Sequence, residues 1–343
     1  MRAFQRTACM AALGLLSTFA HAQDARTLTD ADQAIEWLIN PDNAHQSRPE
    51  VLAEARGLIG AQAEAHPDEA RWVFGRGLLE ARENDWANAK PLFERAAELD
   101  DTVALHHQWL GNAIFSTINE VGLLGKASAA GKGRDAYLRA IELDPGLGGA
   151  RVGLCEFYLN APGIAGGSKK EAREQALALL EIEGFECHGH RVLGTIHADK
   201  GEWAEAERAF DRAIEAAEPG AERRDMLMAW ISLTLSKGRD AEAIEAAHRL
   251  VELQPDDPRS DYILGAVLQE TGRHADSVEP LERACEALPD SASPLWRLAV
   301  AYEEVDRHAD AHAAFTRFAE LYPDHENAKD AAKNAKRLKR RLP

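Results

Sequence analysis

The chain has 343 residues, with 40 basic against 57 acidic side chains and a formal net charge of -17. Such a surface repels nucleic acid and anionic lipid rather than binding them. Alanine, glutamate and leucine are abundant and aromatics make up only 6%, a composition that favours helices over a β-sandwich.

Residues 1–22 read as a secretory signal. Arg2 and Arg6 precede an apolar run from Thr7 to Ala20, and Ala20-His21-Ala22 closes it with an A-x-A site. This predicts cleavage after Ala22 and a periplasmic or secreted mature chain. The run is too short for a bilayer span, and no later segment reaches the roughly eighteen apolar residues that one needs. Export permits disulfides, but Cys155, Cys187 and Cys285 are an odd, widely spaced set rather than a disulfide framework. Residues 23–69 hold two helical stretches, Thr29 to Asn40 and Pro49 to Ala65, which look like a degenerate leading pair.

From residue 70 to 325 the chain repeats itself. Small or apolar anchors at Gly77, Gly111, Cys155, Gly194, Ile231, Gly265 and Ala299 carry apolar residues at fixed offsets: Ala89 and Phe93 follow Gly77, Ala206 and Phe210 follow Gly194, and Ala311 and Phe315 follow Ala299. The base period, as from Gly77 to Gly111 or from Ile231 to Gly265, is 34 residues. Each unit reads as two amphipathic helices joined by a polar turn. No unit can bury its stripe alone, so neighbours must stack. The ladder predicts an all-α, right-handed α-solenoid of seven helix pairs. Residues 326–343 place Ala328, Ala331, Ala332, Ala335 and Leu338 on one stripe among Lys and Arg, as in a basic C-terminal capping helix.

The period, the pairs "WLG" at Trp109 to Gly111 and "VLG" at Val192 to Gly194, the "AIELDP" at Ala140 to Pro145 and the "FDRAIEAAEP" from Phe210 to Pro219 resemble the tetratricopeptide repeat (TPR) family over about Ala70 to Pro323. The stretch from Leu124 to Gly163 also distantly resembles exported bacterial TPR proteins and, faintly, the regulator of microtubule dynamics family.

Two intervals exceed the period. The surplus lies between the paired helices of the second and third repeats, near residues 116–133 and 161–170. The second insertion, "NAPGIAGGSKK", is no nucleotide loop: the Walker arrangement needs Gly-Lys-Ser/Thr after a strand, whereas here Ser168 precedes Lys169 and a helix comes before. Turns between paired helices line one edge of a solenoid, so the insertions are expected to form one lobe. That lobe collects Lys126, Lys132, Arg134, Lys169 and Lys170, with Gly163, Gly166 and Gly167 able to present backbone N–H groups to an anion.

Other chemistry is sparse. The stretch "CHGH" from Cys187 through His188 to His190, with His197 seven residues on, offers thiolate and imidazole, but too few ligands for a metal site, and His190 and His197 fall in the packing register of their repeat. No H-E-x-x-H, G-x-S-x-G or EF-hand pattern is present, so neither catalytic residues nor a cofactor is expected. The resemblance implies that the first helix of each repeat lines a peptide-binding groove. It nominates Phe74, Leu78 and Arg82; Gln108, Asn112 and Phe115; Glu156 and Asn160; Arg191 and Thr195; Met228 and Ser232; Tyr262; and Trp296. Gln108 stands where chaperone-binding members carry a lysine, so their carboxylate clamp is not expected. The expectation is a non-enzymatic periplasmic scaffold that binds a protein or peptide during cell-envelope assembly. The rival is a receptor for a small or anionic ligand, or an enzyme, built on the insertions.

Overall fold

The computed structural model describes residues 28–40 and 49–342; the expected signal segment and the expected cleavage after Ala22 lie outside them. Among the described residues the regular structure is all helical. Two leading helices, α1 (Ala31–Ile39) and α2 (Pro49–Ala65), precede the pairs α3 (Ala70–Arg82) with α4 (Trp86–Leu99), α5 (Ala104–Ser116) with α6 (Leu123–Leu143), α7 (Gly148–Asn160) with α8 (Lys169–Leu179), and α9 (Glu186–Asp199) with α10 (Trp203–Ala216). Next come α11 (Ala221–Ser236) with α12 (Asp240–Leu253), α13 (Pro258–Glu270) with α14 (His274–Ala287), and α15 (Ala292–Glu304) with α16 (His308–Leu321), and then α17 (Ala328–Lys339). The chain divides after Glu222 into two compact units.

Within each unit the anchors set the helix spacing. A Cβ on Gly77 would lie 2.7 Å from the Phe93 ring, one on Gly111 2.6 Å from Tyr137, one on Gly194 2.7 Å from Phe210, and one on Gly265 2.5 Å from Leu281. The missing methyl lets the first helix of a pair rest directly on a large side chain of the second. Phe93, Tyr137 and Phe210 in the first unit, and Leu281 in the second, are almost wholly buried as a result. A fully buried side chain of this size stabilises by about 1.5–3 kcal/mol relative to its exposed state.

Seven residues after the anchor, five pairs turn in the same way. Asn84, Gly201, Gly238, Gly272 and Asp306 all have positive φ, between 59° and 78°. The next N–H then reaches back to a carbonyl near the end of the first helix: Asp85 to Glu80, Glu202 to His197, Arg239 to Thr234, Arg273 to Leu268 and Arg307 to Tyr302, at 2.7–3.0 Å. This left-handed closure satisfies carbonyls that the helix end leaves without partners. The two pairs with extra residues have Ile118 and Pro162 at that position. A β-branched residue strongly disfavours a positive φ and proline is barred from it, so these pairs turn differently.

The first insertion does not lie between the paired helices, as expected, but mostly within the second of them. Only residues 117–122 separate α5 from α6, and the surplus extends α6 to 21 residues. Ala130 is buried, and a Cβ on Gly133 would lie 2.5 Å from Phe115, so the added turns pack on α5. The second insertion is a compact turn. A 3-10 segment, Gly163–Ala165, leads to Gly166 at φ 97°, and Ser168 caps α8 by accepting from Glu171 N–H. Gly167 cannot carry a side chain, because its Cβ would fall 1.8 Å from Ala161 O. The turn packs against α6, and a Cβ on Gly166 would lie 3.5 Å from Arg134 Nη1, so the two insertions are neighbours.

In the second unit α17 buries Ala328, Ala331, Ala335 and Leu338 in a cluster with Phe315 and Phe318, while Ala332, expected on the same stripe, is exposed. Arg337 bonds Glu303 at 2.6 Å, which fixes the helix by charge as well as by packing. Replacing Gly272 by Ala should cost about 1–2 kcal/mol, because an L-residue must then hold the left-handed conformation. The same change at Gly57, which lies inside α2 with open space around it, should be neutral or stabilising. Urea unfolding followed by circular dichroism checks both.

Candidate functional site

The first-helix face of the first unit does not present all of its nominated residues to solvent. Phe74 is 4% exposed and packs on Phe93 and His106, with ring centroids 5.6 and 4.9 Å apart. Leu78 and Gln108 are also buried, the amide of Gln108 lying where a Cβ on Gly149 would stand. These three fill the space between neighbouring repeats and are lost to a partner.

Arg82 has a different task from the one expected. Its Nε donates to Leu38 O at 3.0 Å and its Nη2 to Asn40 O at 2.8 Å, with the guanidinium 5.7 Å from the Trp37 ring. It thereby satisfies carbonyls at the end of α1, where a cation also complements the helix dipole. Burial pushes its pKa down to about 10. Phe115 stacks on Tyr137, with centroids 5.6 Å apart, and the Tyr137 hydroxyl donates to Asn112 Oδ1 at 2.8 Å.

A polar cluster on α7 and α9 brings several nominated residues together. Arg191 Nη2 donates to Glu156 Oε1 at 2.5 Å, Asn160 Nδ2 donates to Glu156 Oε2 at 3.1 Å, and Thr195 Oγ1 donates to Arg191 O at 3.0 Å. The Arg191 and Glu156 side chains keep 15% and 22% of their exposure, while Asn160 is exposed. Burial opposes the Arg191 charge, yet the Glu156 carboxylate raises its pKa on balance.

One turn earlier on α9, Cys187 and His188 meet Glu222. The Cys187 thiol donates to Glu222 Oε1 at 3.3 Å, and His188 Nε2 lies 3.7 Å from the same oxygen. Glu222 Oε2 accepts from Glu218 N–H at 2.7 Å. Burial, and then Glu222, push the Cys187 thiol up, and burial pushes His188 down to about 3. The other two histidines singled out in the sequence, His190 and His197, lie elsewhere. His190 is half-buried, and His197 Nδ1 sits 2.6 Å from Glu202 Oε2 at the pair's turn. Glu222 enters from another repeat, so no residue spacing around Cys187 reveals it.

Four of the five cations named for the insertion lobe have partners within the protein, and two of its glycine N–H groups are engaged in the turn. Lys126 donates to Asn119 Oδ1, Lys169 pairs with Asp199 at 3.0 Å, Lys170 pairs with Glu174 at 3.6 Å and Arg134 pairs with Asp135, while Lys132 is exposed. Gly166 N–H donates to Gly163 O and Gly167 N–H to Pro162 O. These two N–H groups point into the turn, so the anion nest expected there is not formed by them.

In the second unit Met228, Tyr262 and Trp296 are half-buried and Ser232 is exposed. Arg297 lies 6.0 Å over the Tyr262 ring, and Trp296 packs edge-on against Phe315.

His188 carries a pH signature. Unfolded, its imidazole takes up a proton near the ordinary value of 6.5; folded, it does so only near 3. Between these values the unfolded chain binds more protons, so the His188 contribution to stability is whole above pH 6.5 and falls as acid is added. The His188→Gln variant should therefore lose stability less steeply than the unaltered chain between about pH 7 and pH 4, as read by thermal unfolding at matched ionic strength.

Tetratricopeptide repeat models match residues 191–247, 228–292 and 295–325. No curated protein sequence matches the chain. Among solved structures, yeast Tom70 aligns over 99% of this chain and 71% of its own, at 13% identity and a TM-score of 0.63. A tetratricopeptide repeat protein from Parabacteroides merdae ATCC 43184 aligns over 78% of this chain and 98% of its own, at 14% identity and a TM-score of 0.44. YrrB, described as a TPR protein with an unusual peptide-binding site, covers 70% of this chain and 97% of its own, at 18% identity and a TM-score of 0.35. The ladder of anchors, the helix pairs built on it and the matched repeat models agree: the chain carries tetratricopeptide repeats, matched by family models over residues 191–292 and 295–325, in an all-helical repeat fold.

Proposed function

We propose that this protein is a periplasmic or secreted scaffold that holds a protein or peptide partner against the first-helix face of its repeats, and that it acts in cell-envelope assembly. The observation that carries the reading is the polar cluster on α7 and α9, where Glu156, Asn160, Arg191 and Thr195 stand partly exposed with rotamers already fixed by one another. A partner meeting such a surface avoids the roughly 0.5–1.5 kcal/mol per side chain that ordering would otherwise cost. Half-buried Met228, Tyr262 and Trp296 provide apolar contact area of the kind that anchors partners. Export rests on the order of charge, apolar run and A-x-A site in residues 1–22. The receptor or enzyme reading loses support because the cations of the lobe are largely engaged and its glycine N–H groups turn inward.

The mature chain, immobilised in a periplasmic extract, should capture a partner. The triple variant Asn160→Ala, Thr195→Ala, Trp296→Ala should lower its affinity at least tenfold, about 1.4 kcal/mol. The triple variant Lys126→Gln, Lys169→Gln, Lys170→Gln should leave affinity and salt dependence unchanged. The reverse pattern would move the binding surface to the insertions. A mature N-terminus that begins at Met1 instead of Gln23 would remove export from the proposal.

A further inference from the structure

The Cys187, His188 and Glu222 cluster is built more like a cation site than like a packing accident. The three side chains are 1%, 4% and 8% exposed, and one ligand atom from each lies within 4.8 Å of the others. Two of the separations are informative. Bonds of about 2.0 Å to nitrogen or oxygen and about 2.3 Å to sulfur, arranged tetrahedrally, put neighbouring ligand atoms about 3.3–3.7 Å apart. Cys187 Sγ lies 3.3 Å and His188 Nε2 lies 3.7 Å from Glu222 Oε1. For the histidine the second figure is too long for a good hydrogen bond, and its Nδ1 is buried without a partner. A buried imidazole whose ring nitrogens are so poorly served is costly to keep for packing alone.

We propose that Cys187, His188 and Glu222 bind one zinc-class divalent cation, with solvent completing the coordination. Thiolate, imidazole and carboxylate together suit borderline-soft Zn²⁺ rather than Ca²⁺ or Mg²⁺, which take oxygen ligands. Glu222 contributes Oε1, since Oε2 is held by Glu218 N–H. Arg191, whose charge acts on both Cys187 and His188, is paired with Glu156, so it opposes the ion only weakly. On binding, the Cys187 S–H bond breaks, the sulfur lone pair goes to the metal and the proton leaves to buffer. His188 is already neutral at pH 7 and releases none. The ion would clamp the start of α9 to Glu222, replacing one thiol hydrogen bond by three coordinate bonds.

The test uses the mature chain and added Co²⁺ or Zn²⁺. One Co²⁺ per chain should produce a thiolate-to-cobalt charge-transfer band with release of one proton. Zn²⁺ should abolish the band and raise Tm, as any ligand selective for the folded state must. The band should vanish in Cys187→Ser and persist in Cys285→Ser. Glu222→Gln, which keeps an acceptor for Glu218 N–H, should retain the helical circular dichroism and weaken Co²⁺ binding at least tenfold. A chain without added substitutions that shows neither band nor Tm rise overturns the proposal, as does a band that follows Cys285. Because the cobalt titration of the unaltered chain needs no variant, it stays decisive even if Cys187→Ser misfolds.

Discussion

Everything in this fold hangs on how closely two helices can approach at one residue per repeat. At Gly77, Gly111, Gly194 and Gly265 the side chain is absent, and a ring or a leucine from the partner helix occupies the space that a methyl would take. A bulkier residue there would force the helices apart along their length, and close-packed interiors do not absorb such a shift cheaply. The contact recurs at four of the seven anchors, the other three being Cys155, Ile231 and Ala299. The polar side chains of the first-helix face inherit their positions from it, since each pair must stand at a fixed distance before Glu156 can reach Arg191.

The fold was therefore open to reading from the sequence, because the contact leaves a signature in residue type and spacing. The insertions were half legible. Their place and their adjacency follow from counting, but α6 shows that surplus residues with the stripe Ala130, Gly133, Tyr137 and Ala140 lengthen a helix instead of a loop. The stripe is visible in the chain. A subtler signal sat seven residues past each anchor. Asn, Gly or Asp there marks the left-handed closure, while Ile118 and Pro162 mark the two pairs that lack it.

The site was less legible, and the reasons are physical. Facing rules place a residue on a side of a helix but cannot say how deep it lies, so Phe74 and Gln108 were assigned to a surface that the next repeat covers. Arg82 illustrates a second limit: its partners are carbonyls of α1, and backbone acceptors leave no mark in a sequence. The third concerns His188 against His190. Two residues apart on a helix they point in different directions, and only the arrival of Glu222 from another repeat distinguishes them.

Tyr137 touches more than its own pair. A Cβ on Gly153 of the next repeat would lie 2.4 Å from its ring, so the ring is wedged between Gly111 on α5 and Gly153 on α7 while its hydroxyl holds Asn112. In a linear array each repeat is bound by its own stability and by the coupling to its neighbours. One side chain that serves both terms at once makes them inseparable at this junction: the second repeat cannot melt and leave the third with its interface intact. Fraying that starts at the N-terminal edge of the unit should therefore run up to this junction and meet its largest step there, so that amides of α5 through α8 exchange with solvent as one block.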